Sequence, residues 1–299
     1  METKKQPAIS VIMSIYNQKN PDYLEKAVMS VLGQTFEDFE FIIYNDGSDN
    51  GIFEELDKYT SVDERIIKIN NPVNHGLAYS LNACIDVARG KYIARMDDDD
   101  ICDPRRFQVQ YDYMESHPEI AFVGCNAALI DKNGIWGHRQ MPEVPGKEDF
   151  LKFSPYIHPT VMIRREVLEK EEAYNTSADT LRCEDYELFM RLMKEGRQGH
   201  NIQRELFYYR EDDASYKKRK LKTRIAEMRI RYKSFKELNL LTPKGCIYVM
   251  RPLLSAVVPS PLILYTKKQH HKQELEYDKQ FETTKVDVSG NTKKRVEAI

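Results

Sequence analysis

The sequence is short of the residues that staple or anchor a chain. Its five cysteines, Cys84, Cys102, Cys125, Cys183 and Cys246, are odd in number and scattered, with no CxxC pair. That excludes a disulfide framework and a zinc-ligand pattern, and it suits a reducing cytoplasm. The N-terminal METKKQPAISVIMSIYN has two lysines and then an apolar run only of strand length, without the h-region and small-residue cleavage site of an export signal. No repeat recurs at solenoid or propeller periods. From about Lys267 the chain is a polar tail without a readable motif and reads as disordered.

What is present is a globular composition. With 299 residues and 41% hydrophobic content, the chain can bury the core of one large α/β domain, with or without a smaller appendage. The net charge of −2 hides an asymmetry. Between Tyr216 and Arg251, twelve Lys or Arg stand against two Glu, so a local +10 follows a remainder of about −12.

Strand-like and helix-like patterns alternate. Ala8 to Asn17 reads as a strand, and Pro21 to Leu32 as a helix with Leu24, Ala27, Val28, Val31 and Leu32 on one face. Phe39 to Asn45 is a second strand, stopped by the turn Asp46-Gly47-Ser48-Asp49-Asn50-Gly51. A short helix (Ile52 to Tyr59), a third strand (Arg65 to Ile69), a loop, a helix (Leu77 to Ala88) and a fourth strand (Tyr92 to Met96) follow. This rhythm predicts a mostly parallel, Rossmann-like sheet covered by helices. In such sheets ligands bind beyond the carboxyl ends of the strands.

The fourth strand delivers four aspartates, Asp97 to Asp100. Four adjacent like charges repel, and an isolated run of this kind is more often a structural turn; Asp103, and with it Asp100, reads as a cap for the helix Arg105 to Ser116. Here, however, the run shares one sheet edge with two other polar strand ends, Ser14, Tyr16 and Asn17 on the first and Asp46, Gly47 and Ser48 on the second. An alternating pair such as Asp97 and Asp99 can present two carboxylates to Mg²⁺ or Mn²⁺ carried on a substrate diphosphate.

The ordered set SVIMSIYN, NDGSDNG, NHGLAYSLNACIDVARGKYIARMDDDD, CEDYELFMRLMKEG and LFYYR resembles the inverting glycosyltransferases of family 2, of the capsule and surface-polysaccharide type, over about Ala8 to Arg210. The resemblance implies the glycosyltransferase A fold and a UDP-sugar donor. It places the base and ribose at Ser14, Tyr16, Asn17 and Asp46, Asp97 at the ribose or the metal, and Asp99 at the metal. Asp98 falls where relatives often have a small residue, so its part in the metal shell stays open. Arg95 corresponds to an arginine near the diphosphate, with pairing to a neighbouring acid as the plainer reading. Two acids at a helix start commonly just complement the helix dipole, but the resemblance makes Asp185 the catalytic base, with Glu184 the second candidate. His158 is similar in position to a residue near the sugar pocket, although a lone histidine is more often structural. Relatives often place a metal-binding His two residues after the YYR arginine, where this chain has Asp212; Asp212, Asp213 or water are the alternatives.

Behind this part, Leu221, Ile225, Met228, Tyr232 and Phe235 form an apolar stripe ringed by lysines and arginines. The stripe either packs on the catalytic part or, with the proline-broken apolar run Arg251 to Tyr265, lies in an anionic membrane interface. Nucleic acid is not expected as a partner, because no recognition fold accompanies the charges. A sugar-nucleotide nucleotidyltransferase is the rival enzyme class; such enzymes resemble one another in a glycine-rich loop after the first strand, and SVIMSIYNQKNPDY has no glycine. A binding module without turnover is the third reading. The expectation is thus a catalytic domain over 1–215 (nucleotide part about 1–100, acceptor part about 101–215), a basic helical extension over 216–266 and the tail 267–299. The activity expected is transfer of a hexosyl or N-acetylhexosaminyl group, with Mn²⁺ or Mg²⁺, to a polyprenyl-diphosphate-linked glycan at the inner face of the cell membrane.

Overall fold

The computed structural model describes residues 6–170, 173–211 and 221–254. Asp212, Asp213, the basic run 217–220, the apolar run beyond Leu254 and the polar tail lie outside the described residues. The first half builds a parallel sheet in the order β3-β2-β1-β4, from β1 (Ile9–Ile15), β2 (Phe39–Asp46), β3 (Ile66–Asn71) and β4 (Tyr92–Arg95). Every residue of β1 except Ser14, and every residue of β2, is buried. Both faces are therefore covered, which explains why these segments read as unbroken apolar runs rather than alternating ones.

The connections are helical. α1 (Pro21–Leu32) starts at Asn20, whose side chain accepts from Asp22 N, and has Pro21 in its first turn, where a missing N–H costs nothing. A 3₁₀ turn (Glu54–Leu56) and α2 (Asp57–Thr60) occupy the predicted short helix, and α3 (Leu77–Val87) leads into β4. Leu24, Ala27, Val28 and Val31 of α1 pack on one face of the sheet with Phe107 and Met114, while Leu81 and Ile85 of α3 cover the other with Phe189 and Leu192.

Beyond β4 the sheet becomes mixed. After β5 (Ile101–Cys102) and α4 (Arg106–Ser116), β6 (Phe122–Asp131) turns back as β7 (Gly134–Arg139), and β8 (Met162–Arg164) inserts antiparallel between β4 and β6. Past α5 (Arg165–Lys170) and α6 (Glu184–Lys194), β9 (Gly199–Arg210) runs parallel to β6 and pairs at its far end with β5. That last pairing ties the chain just after the aspartates to the YYR segment. Asp103 does not cap α4 from the N-cap position, which Arg105 occupies; its carboxylate accepts from Arg105 N at 3.0 Å in the preceding turn.

Buried Arg106 of α4 fixes the end of β4, donating to Arg95 O (2.9 Å), Gln110 Oε1 (3.0 Å) and Cys102 Sγ (3.1 Å), and Gln110 donates on to Thr160 O (2.7 Å). A charged core side chain is tolerable here because its donors are met. Finally α7 (Leu221–Glu237) and α8 (Pro243–Leu254) form a pair, α7 packing against α6 and the turn Ala178–Thr180. The expected stripe is rotated: the buried positions of α7 are Ala226, Ile230, Arg231, Ser234 and Phe235, leaving Leu221 and Tyr232 exposed. No helix among the described residues is long and apolar enough to cross a membrane.

Candidate active site

The parallel strands β1, β2 and β4 end at one edge, and their loops are tied to one another. Asn17, in a left-handed conformation (φ 48°), donates its N–H to Ser48 Oγ (3.0 Å) and accepts from Asp49 N (3.1 Å). Ser48 N in turn donates to Asn45 Oδ1 (2.9 Å). Asn17 is thereby a lock between two loops, while Tyr16 beside it is 54% exposed and Ser14 half-buried. Asp46 is buried, and its carboxylate accepts from His75 N (2.8 Å), Gly76 N (2.9 Å) and Asn74 Nδ2 (2.8 Å). It organises the 74–76 loop from beneath. Gly47 completes the turn with φ 76°, and a Cβ there would stand 2.6 Å from Asn74 N, so no larger residue fits.

At the end of β4, Asp97, Asp98 and Asp99 are half-buried and Asp100 is fully buried. Carboxylate oxygens of Asp97, Asp99 and Asp100 all lie within 4.8 Å of one another. Asp100 Oδ1 accepts from Arg210 N (2.6 Å), and Arg210 Nε donates to Asp99 O (2.7 Å), so β9 holds the aspartate turn in place. Asp100 Oδ2 is buried and has no hydrogen-bond partner. Desolvation, reinforced by the charges of Asp99 and Asp97, pushes the carboxyls of Asp98 and Asp100 well above the usual range. Three crowded carboxylates with one orphaned oxygen are a fitting seat for a divalent cation, which would satisfy that oxygen and relieve the repulsion. Arg95 is buried and ion-paired with Asp97. Asp98 is not one of the three carboxylates that cluster there.

Asp100, read from the sequence as a helix cap, instead accepts from Arg210 N and stands with Asp97 and Asp99. A cap and a cluster member look alike in DDDD; what separates them is β9, whose Arg210 N donates to the Asp100 carboxylate.

Glu184 and Asp185 open α6 after Cys183, Glu184 buried and Asp185 half-buried. Burial, and then the neighbouring Asp185 charge, raises the Glu184 carboxyl above its ordinary range. Tyr174 links this pair to the aspartate cluster: its buried hydroxyl feels the charges of Arg95, Asp185, Glu184 and Asp97 together. His158, in the turn His158–Thr160, hydrogen-bonds the same hydroxyl at 2.8 Å. The fold thus gathers Arg95, Asp97, Glu184, Asp185 and His158 about one tyrosine. Nothing in the local pattern of the sequence singled that tyrosine out.

Comparison with known proteins decides the family. Residues 10–171, just over half of the chain, match the profile described as Glycosyl transferase family 2. The chain belongs to glycosyl transferase family 2. Its relatives include the Bacillus subtilis protein EpsE, named as a glycosyltransferase, which is 33% identical over 89% of this chain and 94% of its own length. The O-antigen biosynthesis glycosyltransferase WbnJ of Escherichia coli is 33% identical over 62% of this chain and 72% of its own. The amylovoran biosynthesis glycosyltransferase AmsE of Erwinia amylovora is 26% identical over 88% and 99%. Among solved structures, Staphylococcus aureus TarS 1–349 with UDP-GlcNAc superposes with a TM-score of 0.65 at 15% identity, over 84% of this chain and 76% of that one. The mannosyltransferase PcManGT of Pyrobaculum calidifontis, with GDP-Man and Mn²⁺, does so with a TM-score of 0.58 at 14% identity, over 88% and 80%. The family 2 fold is therefore the glycosyltransferase A fold expected from the sequence.

Proposed function

We propose that this family 2 enzyme transfers a hexosyl or N-acetylhexosaminyl group from a UDP-sugar to a hydroxyl of a surface-glycan acceptor, with inversion at the anomeric carbon. The observation that carries the reading is the seating of Asp97, Asp99 and Asp100 within 4.8 Å of one another at the end of β4, with Asp185 near enough for its charge, like that of Asp97, to act on the Tyr174 hydroxyl. The three carboxylates would hold Mn²⁺ or Mg²⁺; such a cation, when bound, supplies neutralising charge to the diphosphate leaving group. Tyr16 is exposed enough to stack on a base, and the 74–76 loop that Asp46 anchors borders the same edge.

Asp185 is the base. It is half-buried at the start of α6, whereas Glu184 is buried and held toward its protonated form. The acceptor O–H gives its proton to the Asp185 carboxylate as its oxygen attacks the anomeric carbon. The bond from that carbon to the diphosphate oxygen breaks, and its electron pair leaves with UDP. One displacement inverts the configuration.

The UDP donor is supported by the TarS complex, and the glycan acceptor by the names of WbnJ and AmsE. A polyprenyl-diphosphate carrier for that acceptor, and an anionic membrane surface beside the basic extension, complete the proposal; a cytoplasmic enzyme lying on the membrane would meet such an acceptor there. Titration calorimetry with UDP, and with GDP as control, in Mn²⁺ and again in EDTA, tests it. Binding of UDP alone and only with metal is expected. Equal binding of GDP would overturn the donor class, and UDP affinity indifferent to EDTA would overturn the metal seat.

A further inference from the structure

Tyr174 lies on the loop leading into α6, and the transfer step leaves its hydroxyl without a role. Its backbone is clamped to α3 by the side-chain amide of Asn82, which donates to Tyr174 O (2.8 Å) and accepts from Tyr174 N (2.9 Å). The pair imitates one rung of a β-ladder and fixes how far the ring can reach. The hydroxyl meets Nε2 of His158 at 2.8 Å, with the two rings nearly edge to face and their centroids 5.4 Å apart. Phe189 of α6 backs the same imidazole at 6.2 Å.

A buried O–H has to place its proton. Tyr174 is 3% exposed, and among the described residues Nε2 of His158 is the only hydrogen-bond partner of its hydroxyl. If Nε2 carried the imidazole proton and donated it, the tyrosine proton would be left buried and unsatisfied. The tyrosine therefore donates, Nε2 accepts, and the ring proton sits on Nδ1. Burial and the nearby Arg95 charge hold His158 well below the ordinary imidazole range, so one ring proton is all it has. Nδ1 makes no hydrogen bond among the described residues, and it is absent from the buried atoms left unsatisfied. The residue is half-open.

We infer that Nδ1–H of His158 is a hydrogen-bond donor to an oxygen of the transferred sugar, and that Tyr174 is the positioning residue that keeps the proton on that nitrogen. The inference rests on the UDP-sugar reading above. Its location is apt, because the Tyr174 hydroxyl that the imidazole bonds stands in the combined field of Arg95, Asp97, Glu184 and Asp185, and Asp97 and Asp185 are the groups proposed above for the metal and the base. A half-open Nδ1–H beside those acids would be within reach of a sugar oxygen carried on the donor. Fixing the tautomer in advance spares the enzyme a reorganisation when sugar arrives.

The test begins on the free protein, with ¹⁵N-labelled imidazole resonances. His158 is expected as the Nδ1–H tautomer, and Tyr174→Phe, which deletes one oxygen, is expected to shift it to a mixture or to Nε2–H. A wild-type His158 protonated on Nε2 overturns the proposal before any variant is made. The second arm is calorimetry in Mn²⁺ with UDP and with whichever of UDP-N-acetylglucosamine, UDP-glucose and UDP-galactose the wild type binds more tightly than UDP. Tyr174→Phe and His158→Ala should each leave UDP affinity within about twofold and weaken the UDP-sugar about tenfold, the worth of one well-placed hydrogen bond. Equal losses for UDP and UDP-sugar would mean that the pair only supports the fold. A wild-type protein that binds no UDP would refute the transferase reading, and the sugar ligand with it, while the tautomer measurement still decides the Tyr174–His158 coupling by itself.

Discussion

Replacing Asp100 with asparagine should move two properties in opposite directions. The carboxylates of Asp97, Asp99 and Asp100 lie within 4.8 Å of one another. At that separation and an effective dielectric constant of about 20, each ionised pair repels by roughly 3 kcal/mol. The metal-free protein escapes part of this by holding protons, which is why desolvation and the charges of Asp99 and Asp97 raise the Asp100 carboxyl so far. Asp100→Asn keeps an oxygen to accept from Arg210 N. It also removes one charge from the trio and sets an amide donor in place of the orphaned Oδ2. In EDTA the variant should be more stable by on the order of 1 kcal/mol, a rise in Tm of about 2–4 °C for a chain of this size.

With Mn²⁺ and UDP the balance reverses, because the repulsion is the reservoir from which cation affinity is drawn. Loss of one of three carboxylates should weaken Mn²⁺ binding at saturating UDP by at least about tenfold. Thermal unfolding in EDTA and calorimetric Mn²⁺ titration read the two halves separately. A variant with wild-type Mn²⁺ affinity and a lowered Tm would refute the reasoning and leave Asp100 as a strut for β9.

Asp185→Asn should keep metal-dependent UDP binding and lose transfer by about 10²-fold or more; near-normal turnover would pass the base to Glu184. Asp46→Ala strips three N–H donors of their acceptor, so it should cost on the order of 3 kcal/mol in urea unfolding and weaken UDP as the 74–76 loop loosens; unchanged stability would show the loop to be held by something else. Burial and Asp185 make the folded chain bind the Glu184 proton more tightly than the unfolded chain does. Native stability therefore falls as pH rises from the ordinary glutamate value, near 4.5, through the higher folded-state value. Glu184→Gln should flatten Tm against pH across that window and raise Tm at neutral pH, and parallel curves for the two proteins would contradict it.

The parallel half of the fold was legible because its signals are local. Strands buried on both faces are unbroken apolar runs, and the turns between them carry their own glycines and asparagines. The mixed half was not, since β8 and β9 owe their places to partners 39 to 110 residues away, such as Arg210 on Asp100. The site divides in the same way. Asp97, Asp99, Glu184 and Asp185 stand out as clustered acids at element ends. Asp46 and Asn17 were rightly drawn to the same edge, but pattern alone could not tell a group that touches a ligand from one whose oxygens are spent on neighbouring amides. Tyr174 was invisible, because its significance lies in Asn82, 92 residues away, which holds its backbone, and in His158, which meets its hydroxyl.

α7 shows the limit of reading amphipathicity from apolar residues alone. The stripe Leu221, Ile225, Met228, Tyr232 and Phe235 has the right spacing, yet the helix turns a neighbouring face inward, with Ala226, Ile230, Ser234 and Phe235 around Arg231. The arginine decides the rotation. Its Nη1 donates to Leu151 O (3.0 Å), its Nε donates to Glu227 (3.0 Å), and its guanidinium covers the Tyr186 ring at 4.8 Å. A carbonyl, a carboxylate one turn back and an aromatic face together meet the cost of burying a charge. A count of hydrophobic positions scores that arginine as solvent-facing. The consequence reaches the site, because Tyr186 follows Asp185 directly on α6 and is held from behind by this contact. The basic extension is thus part of what fixes the start of α6, whatever surface its remaining lysines meet.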